Sequence, residues 1–191
     1  MSTTALTIIT DAFGILNVFM PGASIPNTAA QTAFRIVNRM LGSWSLQPDT
    51  IPVTERETFP IVAGKGSPSN PYTIGPTGNL VAARPPSQQS LNGVALLLTS
   101  STPNSVEIER TLYTQQAYET IAIKTLTNGM FTGVRYKPSF TNGLGSIFLW
   151  PVPDGSIPSS LVLYQRIALA TFTSLTATYF LPDGYEEAIV Y

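Results

Sequence analysis

The chain has 191 residues, 43% of them hydrophobic, enough for one substantial core or two small ones and too many for a disordered chain. Only 11% are charged, against a usual ~25%, and the balance is −1 with no run of Lys or Arg, so the chain has no basic stripe of the kind that grips nucleic acid tightly. Cysteine and histidine are absent, which excludes disulfides, thiolate or imidazole metal sites and His-dependent catalysis. The first twenty residues lack the charged start and continuous apolar run of a signal peptide, and no stretch approaches the ~18 apolar residues of a membrane span. A weakly charged, Thr/Ser/Asn-rich surface suits a protein built into an assembly.

Thr4 to Leu16 carries Ala5, Ile8, Ile9, Ala12, Phe13 and Leu16 at spacings of three and four, which predicts a helix. Thr3 or Thr4 can cap it, Asn17 can end it, and Gly14 weakens it by about 1 kcal/mol relative to Ala. A Pro/Gly-rich link, VFMPGASIP, follows. Asn27 to Leu46 is the strongest helical pattern: Ala30, Ala33, Phe34, Val37, Leu41 and Trp44 share a face, with Asn27 as its expected N-cap and Pro48 helping to end it. So short a link predicts an antiparallel helical hairpin, which needs a third helix or a neighbouring subunit to bury its apolar faces.

From Ile51 the period changes to that of short strands. Thr58 to Val62 and Tyr72 to Ile74 are expected to pair as a hairpin, with Pro60 marking an edge strand. Leu91 to Thr99 and Val106 to Arg110 follow, then a predicted short helix from Thr114 to Lys124 and a turn at Asn128-Gly129. Gly133 to Tyr136, Ser146 to Trp150 and Leu161 to Ile167 are read as three further strands in a meander. Asp183 is the expected N-cap of a last helix, whose start Glu186 and Glu187 suit through the helix dipole.

The expected fold is therefore α+β: a helical hairpin over 1–50, an inserted antiparallel β domain over 51–180 with a short helix near 114–124, and a C-terminal helix starting within 181–191 that packs on the hairpin.

Chemistry has few footholds. Gly64-Lys65-Gly66-Ser67 lacks the earlier glycine of a phosphate loop and is followed by proline, so it is read as a turn. Glu107 and Glu109 share one strand face, where a solvated face competes with a carboxylate pair of the glycosidase kind. Asp11, Asp49, Asp154 and Asp183 are scattered near turns or caps. Trp44 and Trp150 are ligand platforms or core anchors, with the core reading preferred. Lys65, Arg84, Arg135 and Lys137 can line a channel or stand as ordinary surface charges. No catalytic, cofactor-binding or metal-binding residue is assigned, and no cofactor is expected.

A set of segments in order carries a resemblance. These are TALTIITDAFGILNV with QTAFRIVNRMLGSWS, then FPIVAGKGSPSNPYTIGPTGNL, TQQAYETIAIKTLTNG, GVRYKPSFTNGLGSIFLWPVPDG and LTATYFLPDGYEEAIVY. Together they resemble the tail accessory factors, or head-to-tail adaptors, of short-tailed phages; members of that family run on past the position of Tyr191 into a long helix. The resemblance implies a structural part and not an enzyme. A ring of about twelve copies would sit beneath the portal protein, at the head-tail junction of a virion assembled in the host cytoplasm. It would extend the channel for packaged DNA without tight specific binding, help to retain that DNA, and offer a platform to the next tail component. A carbohydrate-binding virion or tail surface protein, using Trp150, is an alternative. A virion-associated peptidoglycan hydrolase, using Glu107, Glu109 or Glu119, is another.

Overall fold

The structure is a computed structural model that describes residues 2–18, 24–45, 54–85, 87–99, 105–139, 143–166, 171–180 and 184–190. The expected roles of Pro48 and Asp183, the position of Asp49 and the strand end at Ile167 lie outside those residues.

In chain order the first elements are β1 (Ser2–Thr4), α1 (Ala5–Ile15) and α2 (Asn27–Trp44). Then come β2 (Thr54–Pro60), β3 (Tyr72–Ile74), β4 (Leu91–Leu98), β5 (Val106–Leu112), α3 (Gln115–Glu119) and β6 (Thr127–Asn128). The series continues with β7 (Gly133–Lys137), β8 (Gly145–Trp150), β9 (Val152–Pro153) and β10 (Ser159–Arg166), and closes with β11 (Thr178–Phe180) and α4 (Tyr185–Val190). Two compact units emerge: Met1–Thr50 with Ala168–Tyr191, and Ile51–Ile167.

In the first unit β1 pairs antiparallel with β11. Thr4 caps α1, its side chain accepting from Thr7 N–H at 3.1 Å. Asn17 closes the helix in the left-handed region at φ 52°, so that Asn17 N–H reaches Gly14 C=O and Val18 N–H reaches Phe13 C=O, the paired bonds of a Schellman ending. α2 differs from expectation at its start. Pro26 is the cap, extended at φ −57° and ψ 137°, and its carbonyl takes the Ala30 N–H, so Asn27 is already helical. Ala5, Ile8, Leu41, Phe172 and Ile189 form the core, with Phe34, Val37 and Trp44 against it. Trp44 packs edge-on to Tyr185 at 6.5 Å, which makes it a core anchor. Asn38 binds both backbone groups of Phe172, its side-chain amide donating to Phe172 C=O and its oxygen accepting from Phe172 N–H.

The second unit is built on a seven-stranded sheet of order β2-β10-β4-β5-β7-β8-β3. Its buried side holds Leu161, Leu163, Val94, Leu96, Val134, Tyr136, Ile147 and Leu149, alternate residues of central strands, with Phe131 fully buried among them. Tyr136 fits because Gly145 has no Cβ, which would stand 2.3 Å from the tyrosine ring. A two-stranded parallel piece, β6 with β9, completes the unit.

These facts correct the expected fold class. Among the described residues the fold is mostly β, 35% strand against 27% helix, and not a helical hairpin plus helix with an inserted antiparallel domain. Helices α1, α2 and α4 share their unit with a β1–β11 sheet, and the large sheet is mixed because β5 and β7 run parallel. The expected hairpin of Thr58–Val62 with Tyr72–Ile74 does not form: β2 pairs with β10 and β3 with β8, at opposite edges. The meander fails in its second step, since β8 pairs with β7 and β3 while β10 lies between β2 and β4. The helix expected over 114–124 stops at Glu119. Thr120 and Ile121 turn back onto Ala117 and Tyr118, and Lys124 Nζ caps the Glu119 and Ile121 carbonyls at 3.2 and 2.9 Å.

Candidate functional sites on the sheet

The outward side of the β2-β10-β4-β5 half is set by register. Arg56 lies opposite Tyr164, Tyr164 opposite Gly93, Ala95 opposite Glu109 and Leu97 opposite Glu107. Arg56 reaches Glu107 across the two intervening strands, its Nη2 and Nε donating to Oε2 at 2.7 and 3.2 Å. The Tyr164 hydroxyl donates to the other carboxylate oxygen. These bonds, Tyr164's first and Arg56's second, hold the Glu107 carboxyl below its ordinary range. Beside them opens a cleft of about 500 Å³ lined by Thr54, Asn92, Gly93, Glu107, Glu109 and Tyr164. Glu107 and Glu109 thus share a face as their spacing predicts. Glu107, however, is an ionised acceptor fixed by two donors, which gives it no proton to deliver as a general acid. Glu119 lies apart on α3, its carboxylate accepting from Gln115 at 2.8 Å.

The β7-β8 half has a different outward side. On β7, Val134 and Tyr136 are buried while Arg135 and Lys137 point the other way; on β8, Ser146, Phe148 and Trp150 alternate with buried Ile147 and Leu149. Arg135 stands opposite Phe148 in register. Its guanidinium carbon lies 5.0 Å from the Tyr118 ring centre and 5.7 Å from that of Phe148. Lys124 Nζ stands 5.7 Å from the same Tyr118 ring. Tyr118 comes from α3, where Thr114 caps the helix by accepting from Ala117 N–H at 3.2 Å. Its ring is 2% exposed and its hydroxyl, fully buried, has no hydrogen-bond partner among the described residues. Burial pushes the Tyr118 phenol up, and the Arg135 charge opposes that. Next along the strand, Tyr113 covers Gly133, where a Cβ would stand 2.3 Å from the tyrosine ring, and packs edge-on to Trp150 at 6.4 Å.

The sequence candidates therefore separate. Arg135 and Lys137 share one face, Lys65 stands 5.3 Å over the Tyr72 ring, and Arg84 donates to Ser139 C=O at 3.0 Å. Trp150 is half-buried and its ring N–H is taken by Ile123 C=O at 2.9 Å. Gly64 and Gly66 have φ of 72° and 100°, as a turn requires, and no helix follows Ser67. Asp154 sits in a turn where the Ser156 side chain first, and then the Ser156 N–H that donates to it at 2.8 Å, hold its carboxyl low. The roles of Arg56, Tyr164, Tyr118 and Phe148 escaped sequence reading. Strand alternation places Arg135 on the Phe148 face once those two strands pair, and this was the one usable signal.

Among the described residues no group of three or more acidic side chains can hold a metal ion, and no helix is long and apolar enough to cross a membrane. No family model, curated protein or solved structure matches the chain.

Proposed function

We propose that the chain is a structural head-to-tail adaptor of a phage virion and not an enzyme. Copies form a ring beneath the portal, extend the DNA channel, help to retain packaged DNA and present a platform to the next tail component. The ordered resemblance of its segments to that family supports this reading, and so does the low charge. The structural observation that carries it is the apolar surface of the first unit. Ile8, Ile9, Ala12, Phe13, Ala33, Ile36, Val37 and Ile189 line an apolar groove of about 120 Å³. Ile15, Leu16, Val18 and Ile36 are each more than half exposed nearby in the sequence of α1 and α2. Surface of this kind favours burial against another protein.

The test is the solution mass of the full chain, alone and mixed with its portal ring. Binding to the portal, with or without a ring already formed, supports the adaptor. An Ile36→Asp variant should weaken assembly while retaining the far-ultraviolet spectrum of the parent. A monomer that ignores the portal refutes the reading.

A further inference from the structure

We propose that Arg135, with Lys137 and Lys124, forms a binding site for a phosphate group on the outward side of β7 and β8. Four observations converge on it. First, the Arg135 guanidinium is held by stacking alone. It rests on Tyr118 and Phe148 and makes no hydrogen bond or ion pair among the described residues, so its in-plane donors are left for a ligand. A planar fork packed on aromatic rings with its donors unspent is pre-organised for an oxyanion.

Second, the charge around it is of one sign. Lys124 shares the Tyr118 ring with Arg135, and Lys137 follows two residues along the same strand face, exposed and without a partner among the described residues. Strands β3, β7 and β8 carry no carboxylate, whereas β2 and β5 carry Glu55, Glu57, Glu107 and Glu109. The nearest carboxylate in sequence, Glu119, is engaged with Gln115. None of the three cations has a counter-ion among the described residues, though Lys124 already donates to the Glu119 and Ile121 carbonyls, and such a set suits a multiply charged tetrahedral group better than one carboxylate.

Third, Tyr118 keeps a fully buried hydroxyl without a partner, and the Arg135 charge acts on it. Buried polar groups of that kind are uncommon and costly. Fourth, the half-buried faces of Trp150 and Tyr113 adjoin the cations along the strand, so a phosphate carried on a nucleotide would have rings beside it. The site stands on this geometry and is independent of the adaptor reading: a negative result with the portal leaves it in place.

The experiment uses the full chain with ¹⁵N-labelled arginine. The Arg135 Nε–H resonance, assigned by its loss in Arg135→Lys, is followed while inorganic phosphate, acetate or a thymidine oligonucleotide is added at constant ionic strength. A saturating shift with phosphate and none with acetate is expected. Lys137→Gln, a change at an exposed residue, should weaken phosphate by about threefold, and Arg135→Gln should remove saturation. An oligonucleotide that saturates the resonance well below the phosphate concentration identifies backbone phosphate as the source; one that does no better per nucleotide identifies free phosphate or a small phosphorylated molecule. Linear drift without saturation, acetate binding as tight as phosphate, or unchanged affinity in Lys137→Gln overturns the proposal. The Lys137 variant keeps the test valid if Arg135→Gln fails to fold.

Discussion

Replacing Glu57 by Gln should stabilise the protein at neutral pH. Gln165 is 2% exposed, and its Nε2 donates to Glu57 Oε2 at 2.6 Å. Its Oε1 is buried with no partner among the described residues. Burial, and after it the negative charge of Glu55 two residues along β2, raises the Glu57 carboxyl above its ordinary value of 4.5. The sign follows from proton linkage. A carboxyl raised in the folded state contributes stability that is present below its unfolded pKa and lost as pH rises through the folded value. At neutral pH the wild type therefore carries the cost of an ionised, partly desolvated carboxylate beside an unsatisfied amide oxygen. An amide in place of that carboxylate would remove the charge, keep an acceptor for Gln165 Nε2 and offer a donor to Gln165 Oε1. Satisfying that oxygen is worth about 1 kcal/mol. The charge adds little, because Glu57 on the edge strand is only partly buried and water still screens it. For a chain of this size the gain corresponds to about 2–4 °C in melting temperature. Thermal unfolding followed by circular dichroism, at about pH 7.5 and about pH 4, reads it out. The advantage should shrink at the lower pH, where a protonated Glu57 can itself donate to Gln165. A variant less stable than wild type at pH 7.5, or equally favoured at both pH values, refutes the reasoning.

Other perturbations have different signatures. Glu107→Gln should lower the melting temperature by only about 1–3 °C at neutral pH, since the pair with Arg56 is exposed. Because Glu107 is held low, that loss should fade as pH falls through its folded value. Leu163→Ala, at a fully buried position on β10, should cost about 2–5 kcal/mol in urea unfolding. Gly133→Ala should cost about 1–3 kcal/mol and alter the near-ultraviolet signal, because the new methyl meets the Tyr113 ring at 2.3 Å and Thr111 C=O at 2.8 Å.

Local pattern identified the helices α1 and α2 and the strands β4, β5, β7 and β8 near their positions. The inward residues of β7 and β8, Val134, Tyr136, Ile147 and Leu149, are apolar at every second place, a signal of facing that the sequence carries. Neighbours were another matter. A period of two fixes a strand's faces and says nothing of which strand lies beside it. The short loop after β2 suggested a hairpin with β3, yet β2 carries Arg56 and Thr58 outward and matches β10 over its whole length. The sites were hidden for the same reason. Arg56, Glu107 and Tyr164 are brought together from three strands, with 51 residues between the first two in sequence and 57 between the last two. Arg135, Tyr118 and Phe148 likewise meet only after the sheet and α3 have docked.

The placement of β2 has a consequence for synthesis. Among the described residues its ladder partner is β10 alone, and Pro60 pairs with Ser160 at a separation of one hundred residues. At ribosomal speeds that interval lasts roughly 5–20 s. Until β10 emerges, β4 lacks its neighbour on that side as well, and this leucine-rich strand waits with an open edge. The large sheet is thus completed from late in this stretch inward, which makes the nascent protein most vulnerable to wrong pairing in the interval before β10 emerges.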